Sequence, residues 1–203
     1  MKIQWHGHSC FQIDTDGCSI VFDPYADGSV KGLNALRLTA DAVYCSHDHH
    51  DHNATQVVTL TGRDCPVSVE TISSFHDDKL GILRGKNTIH LLSSEGLRVA
   101  HLGDLGHMLS GKKLDALKGI DVLLLPVGGH FTIDAVTAKR LADAIAPRIV
   151  IPMHYRLGGM GYDVIAELDD YTSLCGNVKY YDGDTIEIGA DTPSQTAVLT
   201  YGK

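Results

Sequence analysis

Residues 46–53 read Ser46-His-Asp-His-His-Asp-His-Asn53, with four histidines and two aspartates in eight positions, directly after the apolar run Asp41-Ala-Val-Tyr-Cys45. Such ligand-type groups repel one another and prefer water, so their placement at the mouth of a short buried strand demands a compensating partner. A divalent cation is one. In an extended segment side chains alternate, so His47 and His49 point the same way and can share one ion. As the chain turns after His52, Asp51 and His52 can aim at a second position. Each half-site is incomplete, because zinc takes about four ligands, and the rest must come from distant parts of the chain.

The sequence offers those partners at repeated places. Apolar strands end in a ligand-type residue: Ile20-Val-Phe22 runs into Asp23, Val43–Ser46 into His47, Leu97–Gly103 into Asp104, Leu123–Gly129 into His130 and Ile149–Met153 into His154. Proteins that pack helices on sheets collect ligands beyond one end of the strands. His76 and Asp104 join His154 as remote candidates, with His101 a rival to His76. His47, His49 and His76 would make one site and Asp51, His52 and His154 the other. The two oxygens of Asp104 would bridge them.

The rest of the chain supports one domain over 1–203. Its 203 residues are 43% hydrophobic, enough for a sizeable core, and nothing resembles a linker. A formal net charge of -8 disfavours nucleic acid and acidic membranes as partners. No stretch resembles a signal peptide or a membrane span, so a cytoplasmic location, a small-molecule substrate and no membrane partner are expected. Five scattered cysteines without a Cys-x-x-Cys pair read as reduced, buried hydrophobes.

Strands are expected over Lys2–Trp5, Ser9–Ile13, Cys18–Phe22, Ala42–Cys45, Pro66–Ile72, Thr88–Leu92, Leu97–His101, Val122–Leu125, Arg148–Ile151, Val178–Tyr181, Thr185–Ile188 and Thr196–Thr200. Residues 24–40 read as a loop. Helices are expected over Ala54–Leu60 behind an Asn53 cap, Ser110–Lys118, Ala135–Ile145 behind Asp134, and Asp163–Leu174.

The motif His47-x-His49-x-Asp51-His52 with His76, Asp104 and His154, preceded by Asp23 at a strand end, closely resembles the metallo-β-lactamase superfamily. Trp5–Phe11, Gly85–Asn87, His101–His107, Pro126–Gly129 and Ile151–Tyr155 resemble a compact prokaryotic subgroup of metal-dependent hydrolases. The resemblance implies an α/β (α+β) fold, a four-layer αβ/βα sandwich of two mixed β-sheets with outer helices. It also implies two Zn ions, with Mn, Fe or Ni as alternatives, and a hydrolase using an activated hydroxide on a small ester, lactone or phosphoester. Asp51 would touch that hydroxide and act catalytically.

Asp104 stands where true β-lactamases carry cysteine or serine, so antibiotic hydrolysis is not expected. A mononuclear iron oxygenase resembling persulfide dioxygenases, or a metal-binding protein without turnover, are the alternatives. Asp23 and His8 are expected to support the ligands. His107, His130, Arg84 and Lys86 are candidates for substrate contact, each with a surface-loop alternative. The short chain leaves an open pocket, or one completed by a second copy in a homo-oligomer.

Overall fold

The computed structural model describes residues 1–202. Two large sheets face each other. The first holds β1 (Lys2–Gly7), β2 (Cys10–Thr15), β3 (Cys18–Phe22), β5 (Ala42–Tyr44) and β13 (Thr185–Glu187), in the order β13-β1-β2-β3-β5. The second runs β12-β14-β11-β10-β9-β8-β7, from β7 (Ser68–Phe75), β8 (Lys86–Ser94), β9 (Leu97–His101), β10 (Val122–Pro126), β11 (Ile149–Met153), β12 (Val178–Tyr180) and β14 (Gln195–Val198). Both sheets are mixed, with parallel and antiparallel pairs in each. This is the expected sandwich.

Side-chain alternation builds it. Phe11 and Ile13 of β2 and Ile20 and Phe22 of β3 enter the core shared by both sheets, whereas Cys10 and Val21 face the other way. In β10 and β11 every residue is buried, as a strand covered on both faces requires. Glu95 and Gly96, both at positive φ, close the β8–β9 hairpin.

Three helices were found among the described residues: α1 (Gly111–Ala116), α2 (Ala135–Ile145) and α3 (Leu168–Thr172). Helix α2 matches its expected bounds. Asp134 caps it by accepting from Thr137 N at 2.7 Å, and Ala146 ends it in a left-handed turn before Pro147. Its buried face, Ala138, Leu141 and Ile145 among others, packs against β10. The outward residues of β2 and β3 are covered differently, by Tyr25, Val30 and Leu36 of the 24–37 loop and by a two-stranded ribbon of β4 (Leu38–Ala40) and β6 (Val58–Leu60).

Four expectations need correction. The stretch 24–40, read as a loop, ends in the strand β4, which gains its partner only from β6. The helix over 54–60 is a single 3-10 turn, Thr55–Val57, followed by β6, and Asn53 does not cap it. Parallel pairing with β4 outweighs helix propensity here, helped by the β-branched Val57, Val58 and Thr59. The helix over 163–174 shrinks to α3, because Ala166 N donates to Gly128 O at 2.7 Å and Arg156 N to Ala166 O at 2.9 Å. That backbone is committed to tertiary bonds. Finally, Cys18 and Cys65 are joined in a disulfide, Cα–Cα 5.5 Å, while Cys10, Cys45 and Cys175 are free. A separation of 47 residues carried no local sign of the pairing. No helix among the described residues is long and apolar enough to cross a membrane.

Candidate metal centre

The site forms beyond the C-terminal ends of β1, β3, β5, β7, β9 and β11, which point the same way and end beside His8, Asp23, His47, His76, Asp104 and His154. Turning a side chain inward immediately after a strand strains the backbone at three of these positions: His8, Asp23 and His154 lie in the left-handed region, at φ 51°, 47° and 54°. Close approach of the connecting loops needs glycine. A Cβ on Gly128 would lie 2.1 Å from His154 O, and one on Gly106 would lie 2.3 Å from Asp77 N.

All seven expected ligands come together. Asp104 Oδ2 is the centre: His154 Nε2 lies 3.1 Å away, His52 Nε2 and His76 Nε2 each 3.2 Å, and His47 Nε2 4.0 Å. Ligand atoms group within 4.8 Å in three overlapping sets: His47, His49 and His76; His8, Asp51, His52 and His154; and His47, His52 and Asp104. His101, the rival of His76, turns away, its Nε2 donating to Ser9 O at 2.8 Å.

Neighbouring groups fix which nitrogen of each ring faces the centre. Asp23 is fully buried; it accepts from Ser46 N and Ser46 Oγ, both at 2.6 Å, and from His52 Nδ1 at 2.7 Å. Ser46 Oγ in turn accepts from His47 Nδ1 at 2.9 Å, and Phe131 O accepts from His76 Nδ1 at 3.0 Å. In each case the ring's Nε2 is left with its lone pair for the centre. Asn87 Oδ1 accepts from Asp104 N at 2.9 Å, while its amide donates to Ser74 Oγ and Leu102 O.

The centre nevertheless holds buried polar atoms without hydrogen-bond partners: the Nε2 atoms of His47, His52 and His154, and Asp104 Oδ1. Leaving such atoms bare costs about 1–3 kcal/mol each. Imidazole nitrogens and carboxylate oxygens converging in this way form a donor set that suits a divalent transition metal, so the residues present fit the group.

Electrostatics point the same way. Burial drives His47 down to about 3 and His8 to about 4, so both rings are neutral and available as donors or acceptors at pH 7. At His52 burial also acts downward, but the Asp104 and Asp23 carboxylates outweigh it and raise the group well above its usual value. Burial alone would raise Asp104 and Asp51, yet neighbouring imidazoles hold both well below the usual carboxylate range. Carboxylates and imidazoles of the centre thus favour positive charge among them.

A cavity of about 280 Å³ opens above the centre. His49, Asp51, His76, Asp104 and His154 form its floor, and Arg84, Phe131 and Tyr162 complete its wall. Among the proposed substrate contacts only Arg84 lines it. Lys86 is exposed at the start of β8 and His130 is exposed; His107 accepts from Phe75 N at 3.3 Å. Tyr162 was missed by sequence reading. Its hydroxyl lies 3.0 Å from Asp51 Oδ2 and 3.1 Å from Ser29 O, and a lone tyrosine in a Gly-rich loop carries no signal for such a contact. His8, expected to support the ligands, places Nε2 3.2 Å from the same Asp51 oxygen.

A sequence model described as Beta-lactamase superfamily domain matches residues 2–154. A UPF0173 protein of Pyrococcus abyssi is 34% identical over 187 residues, covering 79% of this chain and 86% of that protein. The UPF0173 metal-dependent hydrolase of Geobacillus thermodenitrificans is 30% identical over 193 residues, covering 76% and 85%. A crystal structure from Thermotoga maritima, described as a candidate Zn-dependent hydrolase of the metallo-β-lactamase superfamily, superposes with a TM-score of 0.77 at 31% identity, over 98% of this chain and 97% of that one. The chain belongs to the β-lactamase superfamily, among its UPF0173 metal-dependent hydrolases.

Proposed function

We propose that this superfamily member binds two divalent cations, zinc by default and Mn, Fe or Ni as alternatives, and hydrolyses a small ester, lactone or phosphoester. The observation that carries the reading is the convergence of His47, His52, His76 and His154 on Asp104 Oδ2, within 3.1–4.0 Å, with three of those Nε2 atoms lacking a hydrogen-bond partner. His47, His49 and His76 are assigned to one cation, and Asp51, His52 and His154 to the other. Asp104 is assigned to both.

Bound cations of this kind bring the pKa of a coordinated water from 15.7 to about 7 and polarise the substrate oxygen, which supplies a nucleophile and stabilises the charge that develops. The chain's own residues do the rest. Asp23 and Ser46 hold His52 and His47 in the tautomer that faces the centre. His8 and Tyr162 hold Asp51 Oδ2 from two sides, so its carboxylate is fixed in direction. Asp51 is assigned to orienting the attacking water and passing its proton to the leaving group.

Elemental analysis of the untagged protein, followed by a panel of esters, lactones and phosphodiesters, tests the reading. Two metal equivalents per chain are expected, with turnover that Asp51→Ala abolishes. One iron per chain with oxygen uptake, or fully loaded protein inert across the panel, would overturn it.

A further inference from the structure

We propose that Arg84, with Phe131 and Tyr162, forms a subsite for an anionic group on the substrate, a carboxylate or a phosphoryl group; the hydrolase reading is assumed only for the substrate's reacting end. Arg84 is the sole lysine or arginine lining the cavity above the centre. Of the other six arginines four find carboxylates: Arg37 meets Asp27 at 2.7 Å, Arg63 meets Asp41 at 2.9 Å, and Arg148 and Arg156 meet Asp121 and Glu167 at 3.0 Å; Arg98 donates to the carbonyls of Lys118 and Ala116, and Arg140 is exposed on α2, away from the cavity. Among the described residues, the half-buried Arg84 guanidinium makes no ion pair and no side-chain hydrogen bond. Its guanidinium carbon instead sits 5.6 Å from the centroid of the Phe131 ring. A cation held over an aromatic face keeps its N–H fork free for a planar or tetrahedral oxyanion.

The surrounding chain fixes that position. Asp77, immediately after His76, accepts from Lys79 N, Gly81 N and Arg84 N at 2.8 Å and from Leu83 N at 3.0 Å, which locks the 77–84 loop. Phe131 is tied to the reacting floor through its carbonyl, which accepts from His76 Nδ1, and its ring meets Tyr162 edge-on at 5.6 Å. Wall and floor are therefore joined by direct contacts.

Charge gives the selectivity. The chain carries a formal net charge of -8, so its overall field does not attract anions, and a cavity floored by two aspartates repels them until cations are bound. An uncompensated arginine in the wall then recognises an anion at a fixed distance from the reacting atoms. The volume, about 280 Å³, limits the substrate to a small molecule.

Calorimetric titration of metal-loaded protein with phenylphosphonate, benzoate and neutral benzyl alcohol tests this. Arg84→Gln should weaken anion binding at least about tenfold and leave benzyl alcohol, metal content and melting temperature unchanged, with Arg84→Lys intermediate. Loss confined to phenylphosphonate identifies a phosphoryl group, and loss confined to benzoate a carboxylate. Unchanged affinity of Arg84→Gln for both anions overturns the proposal. If the wild-type protein hydrolyses nothing, the hydrolase reading fails, and the binding titration still decides the role of Arg84.

Discussion

The two ends of the same strands are built to different rules. At the N-terminal ends of β3, β9, β10 and β11, polar groups are satisfied by the chain itself. Glu95 accepts from the Met1 amine at 2.6 Å, Thr15 Oγ1 at 2.8 Å and Asp16 N at 2.9 Å. Arg148 donates to Asp121 and to three carbonyls, those of Gly189, Ala190 and Thr192. The disulfide from Cys18 to Cys65 closes the same end. At the C-terminal ends, buried Nε2 and carboxylate atoms face one another without hydrogen-bond partners. One end completes the fold with protein; the other leaves a charge deficit for something else to fill. The difference separates residues that keep the chain folded from those that give it chemistry.

The sharpest way to break that division is Asp104→Ala. It should remove turnover, by more than the ~10–100-fold typical of residues that merely support a ligand, and leave the metal-free melting temperature close to wild type. A large loss of apo stability would show that the centre holds the fold together. The converse variant, Cys65→Ser, should cost up to about 4 kcal/mol by the loop-closure estimate for 47 residues, while kcat per folded molecule stays the same. Denaturant titration with and without reductant measures it. A pair found reduced in thiol-trapped cells would fit the expected cytoplasmic setting; an intact one would argue against it.

A third effect is in pH. His47 and His8 fall to about 3 and 4 in the folded metal-free protein, against about 6.5 unfolded. The unfolded state therefore binds more protons below pH 6.5, and apo stability should decline from there until about pH 3. His52, raised when folded, contributes fully below 6.5 and loses its contribution only at higher pH, so it does not mask the slope. At the opposite end, the Met1 amine and Thr15 hold Glu95 down to about 2, so its contribution is present above about 4.5 and fades below. Melting temperatures that stay flat between pH 6.5 and 4.5 would contradict the assigned burial of the two imidazoles.

Much of this was legible because metal ligands and strand ends leave local traces. The cluster at 47–52, the apolar runs ending in Asp23, Asp104 and His154, and the Asp134 cap are each readable within a few residues. What stayed hidden depended on long-range pairing. Val58–Leu60 is a strand only because Leu38–Ala40 lies beside it. Residues 163–167 stay out of α3 because Ala166 is bonded to Gly128. Tyr162 meets Asp51 from 111 positions away, and nothing in its neighbourhood announces it.

The left-handed turns at His8 and His154 have a further consequence. Each holds a bulky imidazole in a backbone conformation that costs about 1–2 kcal/mol and that glycine adopts freely. Exchanging His154 for glycine relaxes the turn and deletes a ring from the centre in one step. Directed evolution of this chain for heat resistance alone would thus reward inert proteins, and selection needs a catalytic readout from its first round.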